Sequence, residues 1–153
     1  MRFSSPPASV PAEYRHMVGR LNADESGAAL RQFIEAGGTV VAIGSSTSLG
    51  YTLGLPIGNQ LVKQDGDSVR ALTDEEYYIP GSLLRVTVDT AHAVTEGMPR
   101  HVDVMFDDSP VFRLASDAGA KGVTPLAWYE TATPLRSGWA WGQHYLEGGI
   151  AAA

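Results

Sequence analysis

Two stretches of this chain bring together residue types that could do chemistry. The first is Gly38 to Gly50, GTVVAIGSSTSLG, where an apolar run leads into a serine-rich turn. A tight turn from strand into helix lifts a side chain above the sheet with a helix N-terminus behind it, which is where many α/β enzymes keep their nucleophile. Ser45 and Ser46 occupy that place. The same hydroxyls serve equally well as N-cap groups for the helix that follows, and the second glycine of G-x-S-x-G is missing unless Gly50 supplies it. A serine nucleophile also requires an imidazole within about 3 Å. His92 in DTAHAVTEGMP, at a turn where an imidazole also serves by bonding backbone, and His144 in WAWGQHYL, which reads equally as a buried structural histidine, are the candidate bases. His16 reads as a surface or packing residue and His101 as the solvent-facing or edge start of a strand.

The second stretch is LRSGWAWGQHYL, with Arg136, Ser137, Trp139, Trp141 and His144. Such aromatic density lines a ligand pocket or packs a core, and Arg136 can recognise a carboxylate or form a surface ion pair. Other chemistries find less. His92 and Glu96 stand four apart with no third ligand, and Asp103, Asp107 and Asp108 match either a hard-cation site or a solvated face. No phosphate-cradling glycine loop occurs. The absence of cysteine excludes disulfides, thiolate metal sites and cysteine nucleophiles together.

The elements that must position these residues follow from periodicity. Residues 1 to 12, rich in proline and serine, read as a linker, and 13 to 153 as one domain. Asn22 and Glu25 form a capping-box pattern. Leu30, Phe33 and Ile34 then give an apolar helical face, and Gly37-Gly38 ends the helix. Val40 to Ile43 is continuously apolar, as in a parallel strand covered on both faces. A short helix is expected over 46 to 54, and loop with short elements from Pro56 to Tyr78, where QDGDS marks a turn. Alternation predicts strands at 84 to 88, 101 to 106 and 123 to 129, the last near an edge or at a bulge because of Pro125.

Helix followed by buried strand predicts an α/β fold. The bulk composition agrees with a folded domain, at 44% hydrophobic and 18% charged over 153 residues. A net charge of -6 with scattered basic residues argues against nucleic acid, and no window of about 18 apolar residues predicts a membrane span. The run after Gly148-Gly149 stops as it begins, so the chain is expected to be a segment of something larger, with strands left unpaired that could recruit a second copy.

Taken together, FIEAGGTVVAIGSSTSLGYTLGLP, YYIPGSLLRVTVDTAHAVTEGMP, VDVMFDDSPVFRL and LRSGWAWGQHYLEGG resemble the glutamine-amidotransferase-like domain of bacterial proteins of the zinc carboxypeptidase family. The resemblance covers most of residues 11 to 150. It implies a flavodoxin-like, class I amidotransferase-type sheet with flanking helices, incomplete at both ends. It further implies a non-catalytic accessory domain, since serine stands where that class carries its cysteine. The partner it implies is the peptidase domain of the same parent, which would hold the zinc, in a secreted or periplasmic protein. The segment itself would need no cofactor. The elbow serines and Arg136, Ser137, Trp139, Trp141 and His144 are the pocket to look for, and a serine hydrolase using Ser45 or Ser46 with His92 or His144 is the competing expectation.

Overall fold

The computed structural model describes residues 9–17 and 25–153, and the chain divides into two compact units, Met1–Val40 and Val41–Ala153. In the first, a 3-10 turn at Ala12–Met17 overlaps the expected linker, and α1 spans Glu25–Glu35. The helix stops where the glycines predict. Gly37 takes φ 92°, and the Gly37 and Gly38 amides donate to the carbonyls of Ile34 and Phe33, the closure that a left-handed residue after a helix permits. The Phe33 ring lies over Gly38, filling the space a Cβ would need. The apolar helical face is only partly covered, with Phe33 52% exposed. The Asn22 cap falls outside the described residues.

The second unit is built on a seven-stranded sheet. Its strands are β1 (Ile57–Asn59), β4 (Ser82–Val88), β5 (His101–Phe106), β6 (Phe112–Leu114), β7 (Ala127–Trp128), β8 (Leu135–Ser137) and β9 (Ile150–Ala152). They run in the order β1-β6-β9-β7-β4-β5, with β8 also on β4. A separate hairpin joins β2 (Val62–Asp65) to β3 (Ser68–Ala71). It turns at the predicted DGDS, where Gly66 takes φ 58°, the conformation a two-residue hairpin demands of its first turn residue.

The protein is therefore mixed α/β, and every strand pairing among the described residues is antiparallel. The parallel strand expected at Val40 to Ile43 is not in the sheet, and Val41 and Ile43 are each 80% exposed. A central strand must spend the hydrogen bonds of both edges, and no described segment offers Val40 to Ile43 an edge. The flavodoxin-like arrangement, which rests on such strands, is correspondingly absent from the described pairings. The residues that follow do turn helical, as a 3-10 turn at Gly44–Ser48 running into α2 (Leu49–Leu53).

The alternating strands fare better. In β4, Leu84, Val86 and Val88 are buried on one face, and its register against β5 pairs Leu84 with Val104 and Val86 with Val102. Ile79, Phe106, Val111, Tyr129 and Leu146 complete the core. The strand expected over 123 to 129 shrinks to Ala127–Trp128, after Pro125, whose missing amide cannot join a ladder. It sits between β4 and β9 rather than at an edge, with a register irregularity at Ala127/Trp128.

Because Leu84 is fully buried and Leu83 beside it is 41% exposed, truncation should separate the two faces of β4. Leu84→Ala is expected to lose about 2–5 kcal/mol in urea unfolding, and Leu83→Ala about 0.5 kcal/mol.

Candidate functional site

The polar face of the sheet carries the densest set of interacting charged groups. Alternation along β4 aims Arg85 and Thr87 away from the core, and the register sets them opposite Asp103 and His101 of β5. Arg85 holds Asp103 with both Nε and Nη2, at 2.9 and 3.3 Å. Arg136, brought alongside by β8, approaches the same carboxylate through Nε at 3.6 Å. Next to them the Thr87 hydroxyl donates to Glu130 at 2.8 Å, and His101 Nε2 and Arg100 Nη2 stand 3.5 Å from the two Glu130 oxygens. Donation from Arg85, assisted by Arg136, holds the Asp103 carboxyl below the usual carboxylate range. Donation from Thr87, then His101, does the same for Glu130.

Between these groups lies a cavity of about 120 Å³, lined by Arg85, Thr87, His101, Glu130, Thr133 and Arg136 among others. Three guanidiniums, those of Arg85, Arg100 and Arg136, face two carboxylates, Asp103 and Glu130. The local balance is positive in a chain whose net charge is -6.

On the opposite face a wider, mostly apolar groove of about 470 Å³ runs over Val86, Val88, Val102, Val104 and Tyr129, and is flanked by Ile43, Val94 and Met98. Burial pushes the Tyr129 phenol above its ordinary value.

Comparison with family models, with curated proteins and with solved structures finds no match. The site is therefore read from its geometry. Of the residues singled out in LRSGWAWGQHYL, only Arg136 lines the polar cavity. Ser137 is exposed in β8. Trp139 and Trp141 are 62% and 55% exposed, and most of their hydrogen bonds are made by the backbone. The Ser82 hydroxyl donates to the Trp139 carbonyl at 2.7 Å and accepts from the Trp139 amide at 2.9 Å. Trp141 pairs its backbone with Tyr78 and donates its indole N–H to the Glu75 carbonyl. The glycines of the motif answer to close approach. A Cβ at Gly138 would lie 2.5 Å from the Ser82 hydroxyl, and one at Gly142 would collide with the Glu76 carbonyl. His144 is exposed and stacks on Tyr145, with ring centroids 4.2 Å apart.

At the serine-rich turn, the Ser46 hydroxyl donates to the Ile43 carbonyl and accepts from the Ile43 amide, both at 2.8 Å, and Thr47 Oγ1 donates to the Gly44 carbonyl. This is helix-start bonding of the kind serine and threonine supply. Ser45 is exposed. His92 Nδ1 accepts from the Val94 amide at 3.2 Å. No hydrogen bond links Ser45 or Ser46 to an imidazole among the described residues. Nor do the described residues contain three His, Cys, Asp or Glu side chains grouped to hold a metal ion, and Asp103 is the partner of Arg85 and Arg136.

Sequence reasoning missed Ser82, Glu76 and Glu130. The period of two along β4 puts Thr87 on the face opposite the core, where the chain around Glu130 covers it to 2% exposure. Glu76 ties the β2–β3 hairpin to the segment that meets Trp141. Arg70 donates to it at 2.6 and 2.9 Å, Lys63 at 2.9 Å and the Thr73 amide at 3.2 Å.

Those donors, Arg70 first, hold the Glu76 carboxyl far below its ordinary 4.5. A depressed carboxylate stabilises the fold above its unfolded value and loses that contribution as pH falls through the folded one. Glu76→Gln should therefore lower the urea midpoint at pH 7, and the gap to the parent should narrow steadily below pH 4.5. A gap independent of pH would contradict the ion-pair account.

Proposed function

We propose that the chain is a non-catalytic accessory domain, akin to the amidotransferase-like module of bacterial zinc-carboxypeptidase-family proteins, that packs onto the peptidase domain of its parent. The observation that carries this reading is the apolar groove on one face of the sheet, with the exposed Ile43 at its margin. A contiguous apolar surface of that kind marks a place where another protein surface sits. The flavodoxin-like, class I amidotransferase-type sheet is carried into the same proposal by the resemblance alone. Zinc, and hydrolysis with it, would reside in the peptidase domain.

The non-catalytic part is supported by the use of the turn hydroxyls as helix-start bonds rather than as members of a serine–imidazole pair. It is tested by incubating the folded chain with a fluorophosphonate probe and reading intact mass. No adduct is expected, and a stoichiometric adduct lost in Ser45→Ala or Ser46→Ala would overturn the reading in favour of a serine hydrolase. Sedimentation tests the choice of partner. A monomer is expected when the peptidase domain is absent, whereas a dimer that Ile43→Lys dissolves would make a second copy the occupant of the groove.

A further inference from the structure

We propose that the polar cavity between β4, β5 and β8 is a binding site for the carboxylate group of a small anionic ligand, with Arg136 as its principal contact. The proposal is independent of the accessory-domain reading, because the cavity lies on the opposite face of the sheet from the groove. Its basis is an unequal division of one carboxylate between two guanidiniums. Arg85 is committed to Asp103 by a two-point contact at 2.9 and 3.3 Å. Arg136 comes closest to Asp103 through Nε, at 3.6 Å, which is beyond hydrogen-bond distance. Neither terminal nitrogen donates a hydrogen bond to a protein group among the described residues.

A guanidinium presents its donors as a planar fork that matches a carboxylate. The fork of Arg136 borders a cavity of about 120 Å³, large enough for a carboxylate group and too small to enclose a drug-sized molecule. Thr131 and Thr133 also line it, and their hydroxyls form no hydrogen bond among the described residues. The Arg136–Asp103 attraction is between half-exposed groups, so it holds the guanidinium weakly and leaves it available. Glu130 also lines the cavity and would repel an anion. Its charge is already answered by the Thr87 hydroxyl and by Arg100 and His101 at 3.5 Å. Asp103 is then the resident competitor of the ligand, and Arg85 keeps it in place.

Two consequences distinguish this site from an ordinary surface ion pair. A charged planar probe should bind where its neutral isostere does not, and removing the resident anion should strengthen binding. The experiment titrates the chain with acetate, acetamide and inorganic phosphate at constant ionic strength, following the Arg Nε–H and backbone amide resonances. Acetate should give saturable shifts at Arg136 and Thr133, acetamide none, and phosphate weaker ones. Arg136→Gln should weaken acetate at least fivefold, and Asp103→Asn should tighten it severalfold. Arg113→Gln, on β6 and outside the cavity, should bind as the parent does, and preserved amide dispersion identifies variants that remain folded. Equal shifts with acetamide, shifts that never saturate, phosphate binding tighter than acetate, or unchanged affinity in folded Asp103→Asn would each overturn the proposal.

Discussion

The sheet is organised around one strand that cannot be satisfied by a single neighbour. One edge of β4 is taken by β5 along almost its whole length. The other edge is shared by two separate segments. β8 pairs at Leu83 and Leu84, the Arg85 amide donates to Pro134, and β7 pairs at Thr87 and Val88. A buried strand with unpaired amides loses more than it gains from burial, so the chain from Leu126 to Ser137 has to arrive in this order. Ser82 sets the start of the series. Ser82 is 1% exposed, and its hydroxyl both donates to and accepts from Trp139; the close approach requires Gly138. PGSLL and SGWAW, unusual strings far apart in sequence, are thus the two sides of one clamp.

From that clamp follows the separation of the two faces. With β4 and β5 in register, valines collect on one side and Arg85, Thr87, His101 and Asp103 on the other. The polar side closes over itself, because Glu130 and Arg136 come in on segments already fixed by β4. The apolar side is floored by the buried Val86, Val88 and Tyr129, and it opens to solvent only where Ile43, Val94 and Met98 flank the groove. One sheet therefore presents a charged cavity and a hydrophobic groove back to back, and a ligand at either is separated from the other by the thickness of a β-sheet.

Legibility in the sequence followed the range of the interactions. The stop of α1 at Gly37-Gly38, the hairpin turn at Gly66 and the alternation in β4 and β5 depend on neighbours within a few residues, and each is visible as pattern. Val40 to Ile43 looked like a buried strand because its apolar run is what such strands have, but composition does not say whether an edge is present to receive it. The site depended on longer range still. Arg136 was recognisable as a carboxylate binder, yet nothing local joins it to Asp103 or sets Glu130 against Thr87, 43 residues away. Trp139 and Trp141 stand out by side-chain type, while most of their bonding runs through the backbone and the glycines beside them, the Trp141 indole N–H being the exception.

The position of β9 bears on how such a sheet can form in time. Residues 150–152 lie between β6 and β7, in the interior of the strand order, although they are made long after the strands they join. Only the β2–β3 and β4–β5 hairpins are local enough to close quickly, and pairings between distant segments must first overcome the entropy of the intervening loop. During synthesis the chain would hold these hairpins and wait, with β1–β6 and β7–β4 unconnected to each other until Ile150 emerges. The pairings that join β1–β6 to β7–β4 therefore wait for residues 150–152, and until those are in place the two halves of the sheet have no shared strand.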